Sequence, residues 1–390
     1  MLRGVKVLFL TTVLPRKRRM GSEVASQAVI DALTELGADV TVVGYVRTDD
    51  DYSLGSQEVC AGKRYIETKG AGLYAAMWFI RSLLKGLPYS VAKYCSSAFV
   101  SSVRRLLRQE NHYLVLLDHV QMSWLIEAVP LKGKLIGMAH NVEHQMYQSF
   151  ISDQENRFRR WTYRRESRLL QKMEIAFAKN VEQLWVLTHS DSEFFATLKQ
   201  HGSIKEIPLP GSAIPAGLIP VMKEFDIGMV GSWTWKANAE GLGWFFDRVY
   251  PHLPDGVVIH VAGSGAKWLE GRYANVTYLG FIDDVQQFLQ RARVVAIPTM
   301  SGGGIQIKTL DAIASGSQIV ATPLALRGIN GHPRTVSVAE DSEQFARLLR
   351  AAMTSSDSAE SAHAIEWSRL RQRRFLSEVA GSVQSFTALK

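Results

Sequence analysis

Cysteine is scarce in this chain: Cys60 and Cys95 are the only two in 390 residues, too few for a disulfide framework or a thiolate metal site. That scarcity suits a reducing, cytoplasmic setting. Long apolar runs are missing as well. No stretch of about 18 uncharged apolar residues occurs, so no simple bilayer-spanning helix is expected. The opening MLRGVKVLFLTTVLP holds a short apolar run but no small-residue cleavage site, and it fits a first strand better than a signal peptide. Zinc-ligand spacing, an RNP-like run and a basic tail are all absent, which argues against nucleic acid as a partner. Neither 20–50-residue repeats nor low-complexity blocks occur.

What is present is enough chain for two ordinary domains, each able to bury a core. The net charge of +8 is unevenly spread. Residues 1–210 hold 28 Lys+Arg against 21 Asp+Glu, and the remaining 180 hold 17 against 16. Such asymmetry points to an anionic partner for the first half, a membrane surface or a diphosphate.

The organising stretch is residues 294–323, VVAIPTMSGGGIQIKTLDAIASGSQIVATP, which reads as strand, glycine loop, helix and strand. Ser301, Gly302, Gly303 and Gly304 follow a buried parallel strand. Glycines there let a backbone approach a ligand and point consecutive N–H groups at it. Ile305, Leu310, Ile313 and Ala314 then repeat at helical spacing, with Gly316 placed to end the helix. A glycine loop that opens a helix favours a phosphate, and Lys308 adds a full positive charge. Asp311 is an acceptor for ribose hydroxyls. The alternative is a tight βα turn with a solvated Lys and Asp.

These residues resemble the C-terminal domain of GT-B glycosyltransferases of the family 4 (glycosyl transferases group 1) type. Leu310-Asp311-Ala312 and Gly316 match the second half of that family's signature, with Asp for Glu. The first acidic position falls on Gly303, and Gln306 stands where a related branch has Arg. The resemblance implies an α/β fold of GT-B type, two Rossmann-like domains facing across a cleft. It also implies a retaining transfer from a nucleotide sugar, UDP- or GDP-linked, with the amides of Gly302, Gly303 and Gly304 at the donor.

Along the chain, Val5 to Leu10, Glu23 to Leu36 and Val40 to Gly44 form a βαβ opening. Its loop holds Arg16, Lys17, Arg18, Arg19 and Gly21, and the resemblance places Gly21 against the donor diphosphate. A solvated basic loop is the plainer reading. Residues 47–70 read as polar and irregular. The segment from Ala71, AGLYAAMWFIRSLLKGLPYS, is apolar and basic, suited either to packing in a core or to lying on a lipid surface. A second basic segment, Arg157 to Lys172, carries seven Lys/Arg with Trp161 and Tyr163 among them, and suits an anionic leaflet or a solvated helix.

Tyr113 to Leu117 and Lys134 to Ala139 read as parallel strands, and the second ends in His140-Asn141-Val142-Glu143-His144. The resemblance implies that His140 contacts the donor sugar or its departing diphosphate, with Asn141 beside it. The His140/His144 spacing lacks a third metal ligand. Leu184 to Leu187 with Thr188-His189-Ser190-Asp191 resembles the strand and helix start that close the family's first domain.

Pro208, Pro210, Pro215 and Pro220 break regular structure and mark an interdomain linker. In the second domain the resemblance implies that Lys236 and Ser232 touch the phosphates and that Phe281 and Ile282 flank the nucleotide base. The expected boundaries are 1–205 for an acceptor-binding domain, 206–226 for the linker and 227–370 for a nucleotide-sugar domain. Residues 371–390 are expected as a helix that crosses back.

His140, Lys236 and Lys308 are thus the expected catalytic groups. No metal or cofactor is expected beyond the nucleotide sugar, because Asp49-Asp50-Asp51 lies in the polar segment. The expected activity is a hexosyltransferase acting on a lipid-linked saccharide in bacterial polysaccharide assembly. That places it in the cytoplasm or on the inner face of the plasma membrane. Epimerisation of a sugar nucleotide and non-catalytic nucleotide-sugar binding stay open.

Overall fold

A computed structural model describes residues 1–66, 71–109, 113–131, 134–151, 156–211, 221–355 and 358–387. Pro215, Gly217 and Pro220 of the expected linker lie outside the described residues. The chain divides into two compact units, Met1–Ile207 with Leu376–Lys390, and Pro208–Phe375.

The first unit is a seven-stranded parallel sheet. Its strands are β1 (Lys6–Val13), β2 (Asp39–Arg47), β3 (Glu58–Arg64), β4 (Tyr113–Asp118), β5 (Leu135–Ala139), β6 (Gln183–Val186) and β7 (Ser203–Glu206), in the spatial order 3-2-1-4-5-6-7. The central strands are buried on both faces, so they read as continuous Val/Leu/Ile runs rather than alternations; Val7, Leu8, Phe9 and Leu10 have no exposed surface. β3 lies in the segment expected to be irregular. It is an edge strand with only Ala61 buried, so its sequence, EVCAGKR, carries no apolar signature.

The second unit repeats the plan with six strands. They are β8 (Phe225–Val230), β9 (Ile259–Ala262), β10 (Val276–Gly280), β11 (Ala292–Ile297), β12 (Gln318–Ala321) and β13 (Val336–Val338), in the order 10-9-8-11-12-13. In each sheet the first strand is flanked by neighbours reached in opposite directions, β2 and β4 around β1, β9 and β11 around β8. Loops leaving the carboxyl ends of such a strand pair separate and leave a crevice, where open α/β sheets bind ligands.

The helix after the glycine loop spans Ile307–Ala314 and buries Leu310, Ala312, Ile313 and Ala314. It ends at Gly316, whose φ of 73° is a left-handed conformation that favours glycine. The segment expected as core or lipid-facing forms a helix over Leu73–Lys85 that buries Trp78 and Ser82 while Leu73, Met77, Ile80 and Leu84 are exposed. Core packing therefore does not explain its leucines.

The helix Lys236–Trp244 lies hard against the end of β11. A Cβ on Gly241 would fall against the carbonyl oxygen of Pro298, whereas one on Gly243 would meet nothing. Gly241→Ala is expected to cost about 1–3 kcal/mol through overpacking, and Gly243→Ala to gain up to about 1 kcal/mol of helix propensity. Chemical denaturation of both variants checks the pair; equal effects would contradict the packing described.

Candidate functional site

The register of the first sheet builds one cluster. β1 and β4 pair up to Leu10 and Leu117, and β4 and β5 pair Asp118 with Met138. The next positions therefore bring Thr11, Asp118 and His140 to one edge, at the strand-order reversal. Asp118 is fully buried. Its Oδ2 accepts from Thr11 Oγ1 at 2.7 Å and Ser26 Oγ at 2.6 Å, and its Oδ1 lies 2.6 Å from His140 Nε2.

Burial by itself would raise the Asp118 carboxyl, but the charges of His119 and His140 and the hydrogen bonds from His140 and Ser26 outweigh it and hold the group well below the usual carboxylate range. An ionised carboxylate only accepts, so His140 Nε2 carries the proton in this contact and leaves Nδ1 for another partner. His119 stacks on His140 with ring centroids 3.9 Å apart. Burial pushes His119 down to about 4. Its backbone holds φ 75° and ψ 140°, a sparsely populated conformation that costs on the order of 1–3 kcal/mol and occurs chiefly at functional sites.

Nitrogen and oxygen atoms of Asp118, His119 and His140 lie within 4.8 Å of one another, close enough to be tested as a cation site. The stacked rings, only 22° from parallel, aim their in-plane lone pairs along neighbouring planes rather than at one point. The chemistry that fits is a hydrogen-bonded histidine held by a carboxylate. His144 is engaged elsewhere, with Nδ1 2.5 Å from Glu174 Oε2. The neighbouring Glu143 is raised by burial and by the charge of Glu174, and accepts weakly from Asn141 at 3.4 Å.

The basic loop after β1 is matched internally. Lys17 and Arg19 both pair with Asp50, Arg16 with Glu58, and Arg18 with Asp31. Gly21 opens the helix Gly21–Glu35, but the Glu23 carboxylate already accepts from the Arg19 amide at 3.0 Å and pairs with Arg47. Asp50, in the acidic triplet, is spent on the two cations.

The second cluster sits at the equivalent reversal of the other sheet, where the loops after β8 and β11 leave. Gly302 and Gly304 adopt φ of 114° and 71°, and a Cβ on Gly302 would touch Ala237 at 3.3 Å. Among the described residues the amides of Gly302, Gly303 and Gly304 donate no hydrogen bond. Gln306 stands at the N-cap position of the following helix without a side-chain capping bond, which puts Lys308 in its first turn. Lys308 Nζ donates to Asn238 Oδ1 at 2.9 Å, and burial pushes its ammonium down to about 8.

Lys236 starts the facing helix and pairs with Glu240 at 3.3 Å, and Ser301 donates to Glu240 as well. Ser232 contacts Thr234 through its hydroxyl, and its carbonyl accepts from Asn238. Phe281 is 74 % exposed, with Ile282 half-buried beside it. Asp311 is the fifth residue of its helix, with its carbonyl accepting from Gln286. Gly302, Lys308, Ser232 and Lys236 thus share one edge of the second unit, while His140, Asn141 and Gly21 belong to the first.

Asp118, His119, Thr11, Ser26, Asn238 and Glu240 complete the two clusters and were not anticipated. Asp118 and His119 directly follow the strand expected at Tyr113 to Leu117, so the carboxyl-edge rule could have found them. Asn238 and Glu240 depend on a helix-to-loop contact that no local pattern encodes.

Residues 224–355 match the family described as glycosyl transferases group 1. A 44.6 kDa protein of the cps region of Klebsiella pneumoniae, itself uncharacterized, is 22% identical over 378 residues, covering 88% of this chain and 90% of its own length. Among solved structures, the sucrose-phosphate synthase of Thermosynechococcus elongatus superposes with a TM-score of 0.69 at 13% identity, covering 99% of both chains. WaaG, a glycosyltransferase involved in lipopolysaccharide biosynthesis, superposes with a TM-score of 0.61 at 15% identity, covering 98% of this chain and all of its own. The fold is that of GT-B glycosyltransferases, two Rossmann-like domains with parallel sheets.

Because Asp118 is held below its unfolded value, the stability it contributes is complete above about pH 4 and is lost as the pH falls through the folded value. Asp118→Asn is expected to cost about 3–5 kcal/mol at pH 7. The gap from the parent protein should narrow below about pH 4, as read from urea unfolding across pH.

Proposed function

We propose that this protein is a retaining glycosyltransferase of the family 4 type, a hexosyltransferase that moves a sugar from a UDP- or GDP-linked donor to a saccharide acceptor. In this reading the acceptor is lipid-linked and the pathway is bacterial polysaccharide assembly at the inner face of the plasma membrane. The observation that carries it is the second-unit cluster: three glycines with amides free of partners among the described residues, opening a helix beside a buried, poorly compensated lysine. That combination is built for an anion that arrives and leaves.

Glycosyl transfer through an oxocarbenium-like state leaves growing negative charge on the departing diphosphate. In this reading the amides of Gly302, Gly303 and Gly304, with Lys308 and Lys236, stabilise it without a metal ion. Glu240 limits the positive charge at rest and orients Ser301. His140, its protonated nitrogen fixed by Asp118, serves the sugar or its leaving group through the other nitrogen, with Asn141 alongside. Ser232 and Gly21 are assigned to the phosphates, Asp311 to the ribose, and Phe281 with Ile282 to the base.

Incubation with UDP- and GDP-sugars and a lipid-diphosphate acceptor tests the reading. Nucleoside diphosphate release should fall about 100-fold or more in Lys308→Ala. No release above that variant would reject the transferase reading, and an epimerised nucleotide sugar formed without an acceptor and without net release would favour the epimerase. Binding without any turnover would favour a non-catalytic protein.

Lys308 also separates ligand binding from folding. Its folded value of about 8 lies below the unfolded lysine value, so holding it charged costs stability below about pH 8, and that cost disappears between about pH 8 and 10.4. Lys308→Met is expected to leave the free protein as stable or more so at pH 7, yet to lose the thermal stabilisation given by nucleotide sugars. A variant that melts early and still responds to nucleotide would show that Lys308 serves the fold instead.

A further inference from the structure

The helix Leu73–Lys85 has its amphipathicity turned outward. It buries Ser82 completely and points Leu73, Met77, Ile80 and Leu84 to the outside, 84, 61, 56 and 82 % exposed. Their spacing of four, three and four residues lines them along one face. Beside this helix runs another, Arg157–Asn180, joined to it by the Phe79–Phe158 ring contact and by Arg165, which donates to the Ser82 hydroxyl and carbonyl at 2.8 Å. Phe158 and Trp161 stack on each other and are also exposed. Six large apolar side chains on two adjoining helices form a patch of a kind that soluble monomers rarely leave bare.

Charge decides what covers it. Residues 68–109 contain no Asp or Glu and seven Lys/Arg. In the second helix the only acid between Arg157 and Lys172 is Glu166. That carboxylate is buried and consumed, accepting from the amides of Tyr89 and Ser90 and the Ser90 hydroxyl. Lys85, Arg157, Arg159 and Arg164, on the same two helices, are exposed as well. A second copy of the chain docked by two-fold symmetry would bring these cations against one another. An anionic bilayer instead takes the leucines and aromatics into its interface and neutralises the basic side chains.

We infer that the two helices, Leu73–Lys85 and Arg157–Asn180, form a docking face for an anionic lipid bilayer. Leu73, Met77, Ile80, Leu84, Phe158 and Trp161 insert, and Lys85, Arg157, Arg159 and Arg164 meet the headgroups. The inference gives a surface to the membrane placement proposed above and rests on that reading for its location. Its test reads binding and not turnover, so the two can fail separately.

The experiment is flotation of the full chain with vesicles of phosphatidylcholine alone or of phosphatidylcholine mixed with anionic phosphatidylglycerol. The protein should float with the anionic vesicles and be released as salt is raised. A Leu73→Ser/Met77→Ser/Ile80→Ser/Leu84→Ser variant, its fold checked by melting temperature, should lose binding at least tenfold. Each of Arg157→Gln, Arg159→Gln and Arg164→Gln should weaken it about fivefold. Release of nucleoside diphosphate with a soluble acceptor should be unchanged in all four.

Failure of the parent protein to float with anionic vesicles overturns the inference, as does undiminished flotation of the folded quadruple variant. A dimer in solution that the quadruple variant dissociates would assign the face to a second copy and likewise overturn it.

Discussion

A carboxylate without solvent must be surrounded by donors, and through that requirement Asp118 fixes the carboxyl edge of the first unit's sheet. Three groups from three separate elements satisfy it: Thr11 on β1, Ser26 on the helix after it, and His140 beyond β5. Each is placed by sheet register or by the βαβ connection. The ion therefore reports that the strands have been assembled in the correct order. The same contact fixes which nitrogen of His140 holds its proton, so fold and chemistry share one interaction.

The second unit solves the opposite problem incompletely. Lys308 is buried with a neutral amide oxygen as its acceptor, while the Glu240 carboxylate on the facing helix is engaged by Lys236 and Ser301. A buried cation held by a neutral partner is a cost in the free protein, and a bound anion removes it. Three amides without a hydrogen-bond partner among the described residues add to the same demand. Local choices that weaken folding while serving a ligand mark functional sites, and here they cluster where the strand order reverses.

Much of this was legible in the chain. Buried parallel strands announce themselves as continuous apolar runs, and the loop Ser301–Gly304 followed by helical spacing could be read as an anion cradle from residue types alone. β3 and β7 could not, because edge strands bury too little to leave a pattern; all four residues of β7 are only half-buried. The basic loop at Arg16–Arg19 looked like a free cationic surface, yet its partners Asp50, Glu58 and Asp31 come from 13 to 42 positions away. Long-range pairing of this sort is invisible to any local window. Asp118 was hidden for a similar reason, since a carboxylate at a strand end looks exposed until its three donors are in place.

These pairings also relocate the charge asymmetry. With three of the four charges in the loop after β1 offset by Asp50, Glu58 and Asp31, most of the excess of basic groups in the first half resides elsewhere, and residues 68–109 and Arg157–Lys172 are where it is found. Those are the two segments that also leave leucines and aromatics exposed. An excess of charge serves solubility wherever it lies, and so does not by itself require company from apolar side chains. Exposed apolar groups, conversely, would be removed at no loss to the fold, since Leu73 and Leu84 bury almost nothing. That both occur together, on helices locked side by side by Arg165, is accounted for by a partner that is apolar within and anionic at its surface.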